Sequence, residues 1–206
     1  IGGSKFDILI SEVLKTSEFK VFSDDVKSGG KICGINAKGC ANFTRKEIDE
    51  FTEFVKIYNA KGLATFKVTE TELQSPITKY LKDEQIQQII KIMGAENGDL
   101  LMIVADKGKV VYDSLANLRL RLGEKLNLID KDKFNFLWVT DFPLLEYSEE
   151  DKRFVAMHHP FTSPRDEDLK FFDTDPSKIL AKAYDLVLNG SEVGGGSIRI
   201  HKRDVQ

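Results

Sequence analysis

Ten consecutive residues, Glu192-Val193-Gly194-Gly195-Gly196-Ser197-Ile198-Arg199-Ile200-His201, hold the densest chemical signal in the sequence. Three glycines in a row weaken a strand, so they mark a bulge or a place where a ligand lies against bare backbone. One anion and one cation bracket them. A guanidinium fork matches a carboxylate or phosphate in bidentate fashion, and a glutamate suits a hard cation such as magnesium. Glu192 and Arg199 therefore point to a ligand carrying phosphates and a carboxylate. Seven residues apart, they face opposite sides of a regular strand, and the glycines must bend or bulge it before both reach one cavity. The same composition also fits a surface ion pair beside a flexible glycine turn.

Met157-His158-His159-Pro160-Phe161-Thr162-Ser163-Pro164 forms the second signal. Neutral imidazole can orient a polar substrate, and imidazolium can neutralise an anion. Adjacent strand residues point to opposite faces, so His158 and His159 do not suit one shared metal. A packed or turn-stabilising pair is the plainer alternative. One histidine with His201 and Glu192 has the atom types of a zinc hydrolase site, but no ligand spacing supports it. G-x-S-x-G, G-x-x-x-x-G-K-[ST] and H-E-x-x-H are all missing.

The elements that must carry these residues are read from periodicity. Thr44-Arg45-Lys46-Glu47 has capping-box spacing, and Ile48, Phe51, Val55 and Tyr58 share one helical face, predicting a helix over 45–59. A strand follows over 63–69. Asp83 begins a second helix with Ile86, Ile89, Ile90 and Met93 on one face and Gly94 past its end. Leu100 to Ala105 reads as a buried strand, and Ser114 as the start of a third helix carrying Leu115, Leu118, Leu122 and Leu126. Farther on, the apolar stretches 134–139 and 154–157, separated by the charged turn Glu146 to Lys152, predict a long hairpin. Asp175-Pro176 predicts a helix running to Asn189 with Gly190 as its stop, followed by a strand over 192–201.

The 206 residues are 41% hydrophobic and 31% charged, with a net charge of −3. That length accommodates one generous domain or two small ones. No apolar run approaches the roughly 20 residues a membrane helix needs. Charge is uneven: 27–67 holds eight basic and four acidic residues, whereas 141–175 holds four basic and ten acidic. A solvated face explains either run, and the basic one is also compatible with a phosphate-bearing partner. Cys33 and Cys40 fit neither zinc spacing nor a redox pair, which leaves two idle thiols in a reducing, cytoplasmic setting. Ile1-Gly2-Gly3-Ser4-Lys5 shows no leader and no initiator Met, so the chain is expected to be a piece of something longer.

Phe136-Leu137-Trp138-Val139-Thr140-Asp141-Phe142-Pro143, then the 157–164 motif, then Ala183-Tyr184-Asp185-Leu186-Val187-Leu188-Asn189-Gly190, then 192–201, together resemble bacterial-type aspartyl-tRNA synthetase. Phe19-Lys20-Val21-Phe22, Arg45-Lys46-Glu47-Ile48-Asp49 and Ser75-Pro76-Ile77-Thr78-Lys79 resemble the GAD domain that this family inserts into its catalytic core. Gln74-Ser75-Pro76 superficially matches the family's substrate-binding Q-S-P loop, but it lies inside the insertion and is not assigned to that loop. The resemblance implies an α+β fold: a two-layer GAD insertion domain over 18–128 and an incomplete antiparallel class II core over 129–206. Residues 1–17 would be a junction with that core or a remnant.

The implied activity is activation of L-aspartate with ATP and Mg2+ to aspartyl adenylate, then transfer to tRNA(Asp), by a cytoplasmic homodimer that does not touch membranes. Arg199 would clamp the aspartate side chain, and His158, with His159 as a second choice, would contact the amino acid. Glu192 would bind ATP through magnesium, and Gly194, Gly195, Gly196 and Ser197 would form the floor beneath the adenylate. The family's three class II motifs and its anticodon-binding barrel have no counterpart here, so the stretch by itself is expected to be inactive and no catalytic residue is assigned. The alternative is the tRNA-engaging GAD module of a tRNA-dependent amidotransferase B subunit, in which the His158 motif and the 192–201 tail would have no role.

Overall fold

The computed structural model describes residues 8–70, 72–203 and 205, and the chain divides into two compact units between Ile129 and Asp130. Residues 1–7 of the expected junction lie outside the described residues.

The first unit is built on five antiparallel strands: β1 (Ile8–Leu9), β2 (Lys31–Ala37), β3 (Ala64–Val68), β4 (Leu73–Gln74) and β5 (Leu100–Asp106). Their spatial order is β1-β2-β5-β3-β4, so the last strand made lies at the centre. All seven residues of β5 are buried, as an uninterrupted apolar run requires when both sheet faces are covered. Leu100, Met102 and Val104 join Cys33, Ile35 and Ala37 beneath α3 (Arg45–Lys56) and α5 (Gly108–Lys125). Leu101, Ile103 and Ala105 enter a second core with Ile32 and Phe66, under α1 (Ser11–Leu14), α2 (Lys20–Lys27) and α4 (Asp83–Met93). The unit is α+β, and helices on both faces give three layers instead of the expected two. Ile10 and Leu14, placed by the sequence outside 18–128, are buried in this second core.

Two helix readings have clear physical outcomes. Thr44 closes the capping box: its Oγ1 accepts from the Glu47 amide (3.3 Å), and Glu47 Oε2 accepts from the Thr44 amide (2.8 Å). The other oxygen of Glu47 pairs with Lys125 Nζ at 2.8 Å and ties α3 to α5. Helix α5 begins at Gly108, six positions before the expected Ser114, directly after β5. Ser114 is fully buried within it, and its hydroxyl has no hydrogen-bond partner among the described residues.

The second unit departs more from the sequence reading. The expected 175–189 helix is only a 3-10 turn, Pro176–Lys178, followed by strand β9 (Ala183–Leu188). Asn189 and Gly190 both have positive φ, 48° and 87°, as the tight turn of a two-residue hairpin demands. Asn-Gly therefore joins β9 to β10 (Ser191–Ser197) and does not stop a helix. The long hairpin is also redrawn. β6 (Phe136–Val139) pairs with the distant β9, while β8 (Arg153–Ala156) finds its local partner in β7 (Leu145–Ser148). Leu144, Ile179 and Ala181 form a small core. Tyr184 packs edge to face on Trp138, ring centres 5.7 Å apart, and a Cβ on Gly196 would stand 2.8 Å from its hydroxyl.

Two expectations follow. Lys125 foremost, then the Thr44 amide and hydroxyl, pull the Glu47 carboxyl down to about 2. A depressed carboxyl stabilises fully above its ordinary value of 4.5 and loses that contribution as pH falls through about 2. The wild type should therefore unfold at a higher denaturant concentration than Glu47→Gln near neutral pH, with the gap shrinking from about pH 4.5 downward; a pH-independent gap would contradict this. In the second unit, Gly196→Ala should push Tyr184 off Trp138, cost about 1 kcal/mol and shift the emission of this sole tryptophan. Gly194→Ala, with open space around it, should leave the emission unchanged.

Candidate active site

Side chains alternate along a strand, so Gly195, Ser197 and Arg199 share a face of the segment that β10 begins. Glu192 would fall on the other face but for one inserted residue. Its partner across the hairpin is Val187, while Gly194 faces Leu186, which leaves Val193 as a bulge. The extra residue reverses the parity and turns Glu192 onto the side of Gly195. A Cβ on Gly195 would stand 3.1 Å from Glu192 Oε1 and would also collide with Asp185 Oδ1. Two carboxylates thus converge over Gly195, the middle glycine of the three, where no side chain stands in the way.

Beyond Ser197 the chain runs beside the histidine motif. The Ser163 amide donates to the Ile198 carbonyl (2.8 Å) and the Ile200 amide to the Phe161 carbonyl (2.9 Å). Thr162, buried, faces Arg199 directly. Its hydroxyl lies 3.5 Å from both Ser197 Oγ and Arg199 Nη1. Arg199 is exposed and has no carboxylate partner among the described residues. By contrast, Arg165 is already paired with Asp141. A guanidinium held only by one long hydroxyl contact keeps most of its donors for a ligand.

The two histidines separate as adjacent residues should. His158 packs edge to face on Phe142, ring centres 5.1 Å apart. His159 accepts the Phe161 amide on Nδ1 (3.1 Å) and its carbonyl accepts the Thr162 amide (2.9 Å), so it fastens a tight turn. No hydrogen bond or ion pair joins either histidine to Glu192 or Arg199 among the described residues. Among those residues, no group of three or more His, Cys, Asp or Glu side chains could hold a metal, which removes the zinc reading of His158, His201 and Glu192. Both cysteines are buried and free, and no helix is long and apolar enough to cross a membrane.

The arrangement offers a carboxylate pair for a hard cation, a flat backbone floor and an unpaired guanidinium, all on one strand face. Asp185 and Thr162 were missed by the sequence reading. Asp185 was hidden by the helix assigned to 175–189; reading Asn189-Gly190 as a hairpin turn would have placed it across from the glycines. Thr162 carries no signal of its own, because its role comes from pairing across 37 residues.

The GAD domain matches residues 22–115. The aspartate–tRNA(Asp/Asn) ligase of Geotalea uraniireducens is 57% identical over 197 residues, 96% of this chain and 33% of that protein. The aspartate–tRNA ligase of Halalkalibacterium halodurans is 60% identical over 97% of this chain and 34% of its own length. That of Staphylococcus carnosus is 56% identical over 96% and 34%. The chain spans about a third of the length of these relatives. It carries a GAD domain and belongs, as a stretch about one third of their length, to the family of bacterial aspartate–tRNA ligases.

Proposed function

We propose that the polypeptide containing this chain is an aspartate–tRNA ligase, which activates L-aspartate with ATP and transfers it to tRNA(Asp). One observation carries the reading: the bulge at Val193 gathers Glu192, Gly195, Ser197 and Arg199 on one strand face, with Asp185 reaching over the same glycine. Arg199, lacking a protein carboxylate, takes the side chain of aspartate. Gly194 to Gly196 let the adenylate lie flat on the backbone, with Ser197 at their end. His158 borders the amino acid from the edge of Phe142, and His159 supports it by fastening the turn to Thr162.

Glu192 and Asp185 have the donor chemistry for Mg2+, and both reach the same point over Gly195. Magnesium would supply charge neutralisation for the ATP phosphates when bound. The protein's own part is to hold two carboxylates and one guanidinium on the same face of the bare glycine floor, the carboxylates over Gly195 and the guanidinium beyond Ser197. The arginines of the class II motifs have no counterpart in these 206 residues, which alone would lack the main electrostatic support for attack on the α-phosphate. A cytoplasmic homodimer is the setting we infer. Similarity to ligases across both units, including the second, supports this reading over a GAD module from an amidotransferase subunit.

In a full-length ligase built around this segment, Arg199→Leu should lower kcat/KM for aspartate-dependent pyrophosphate exchange more than a hundredfold, since an uncompensated buried carboxylate costs roughly 3 to 5 kcal/mol. Asparagine, which lacks the anion, should be far less affected, and the KM for ATP should barely move. Arg199→Lys should fall between, keeping charge without the fork. The isolated chain should show no exchange. Equal slowing of both amino acids would remove Arg199 from carboxylate recognition.

A further inference from the structure

A groove of about 560 Å3 runs along the outer side of β3 in the first unit, far in sequence from the 192–201 face. Phe19, Phe22 and Ile77 line one wall, and Ile48 and Thr52 of α3 line the other. Its floor is the edge of the sheet. The Val68 amide bonds to the Asp99 carbonyl (2.9 Å), so Val68, Phe66 and Ala64 direct their backbone groups toward β5. Alternation turns Leu63, Thr65 and Lys67 the other way. Lys67 is satisfied by Gln74 of β4, in the same ladder that bonds the Thr69 amide to the Glu72 carbonyl (2.9 Å). The residue that would face Thr65 next is Pro76, which has no amide to donate. β4 therefore ends at Gln74, and the N–H and C=O of Leu63 and Thr65 have no partner among the described residues.

A half-buried strand edge with alternating donors and acceptors, set between apolar walls, is the receptor for an added strand. Charge narrows the choice of strand. The lining includes Arg45, Lys61 and Lys67 against the single carboxylate of Asp49. Lys61 also reaches the buried Asp25 at 2.6 Å, and Lys67 donates to the Phe43 carbonyl at 3.1 Å. Each ammonium keeps further donors toward the groove. We propose that the open edge of β3 at Leu63 and Thr65 binds an extended acidic peptide, laid end to end with β4. Alternate side chains of that peptide would fill the apolar walls while its carboxylates meet Arg45, Lys61 and Lys67.

The test uses the 206-residue chain and a fluorescein-labelled Glu-Val-Glu-Val-Glu-Val peptide. Saturable binding with Kd below about 1 mM is expected, since short added strands give modest affinity. The Lys-Val counterpart should bind at least tenfold more weakly, and Arg45→Glu should weaken the acidic peptide at least fivefold. Pairing by one peptide edge adds a signature that needs no protein variant. N-methylation of either all valine or all glutamate amides should abolish binding, while the other set leaves it within about threefold. Equal binding of both N-methylated peptides, or equal binding of acidic and basic sequences, would overturn the proposal. So would absence of binding at 1 mM, a self-associated dimer that occupies the edge, or displacement of the peptide by a single-stranded oligonucleotide at lower concentration.

Discussion

Successive side chains on a strand point to opposite faces, and both units are organised by that alternation. In the first unit the alternation is kept without a break along β5, whose residues feed two separate cores in turn. In the second it is broken once, at Val193, and the break moves Glu192 from one face to the other. The same parity leaves Leu63 and Thr65 facing outward on β3. Stability, the candidate active site and the open groove all follow from whether a given residue is odd or even on its strand.

Charged groups reinforce this framework where loops would otherwise be loose. Asp99 is 3% exposed, and burial by itself would push its carboxyl up. The Gly39 and Glu96 amides, the Asn36 amide group and the Lys38 ammonium all donate to it and together hold it below the ordinary carboxylate value. One buried side chain thus fastens the end of β2 to the loop preceding β5. Removing a hydrogen-bond donor from a buried acceptor of this kind costs about 1 to 3 kcal/mol, more than the exposed i,i+4 pairs such as Lys109 with Asp113 contribute.

Local signals were legible in the sequence, and non-local ones were not. The Thr44 capping box, Gly94 as an αL stop at φ 54°, and the buried Leu100–Ala105 run could be read because each depends on neighbours within a few residues. That the strand must bulge was legible because two ligand-type residues on opposite parities demanded it, but the extra residue is Val193 and not one of the glycines, which pair in regular register. The β6–β9 pairing was not, since Phe136 meets Leu188 across a separation that no local pattern encodes. Ala183, Leu186 and Val187 suit a helix by spacing, yet all three lie at least partly buried on strand β9, and Ile179 is buried just before it. The two positive φ values at Asn189 and Gly190 decide for the strand. Arg199 was found by its type, and Asp185 required the register.

The central position of β5 also bears on how the protein is made. β2 and β3 emerge from the ribosome before the strand that separates them, and neither pairs with the other. Before residue 106 is synthesised, β2 has only the two-residue β1 beside it and β3 only the two-residue β4. Such short ladders are marginal in water. The five-stranded sheet therefore assembles late and nearly at once, when β5 closes loops on both sides. Until then the growing chain displays two strands with only marginal partners, and the time taken to synthesise the residues from Ala37 to Asp106 sets how long β2 stays so exposed.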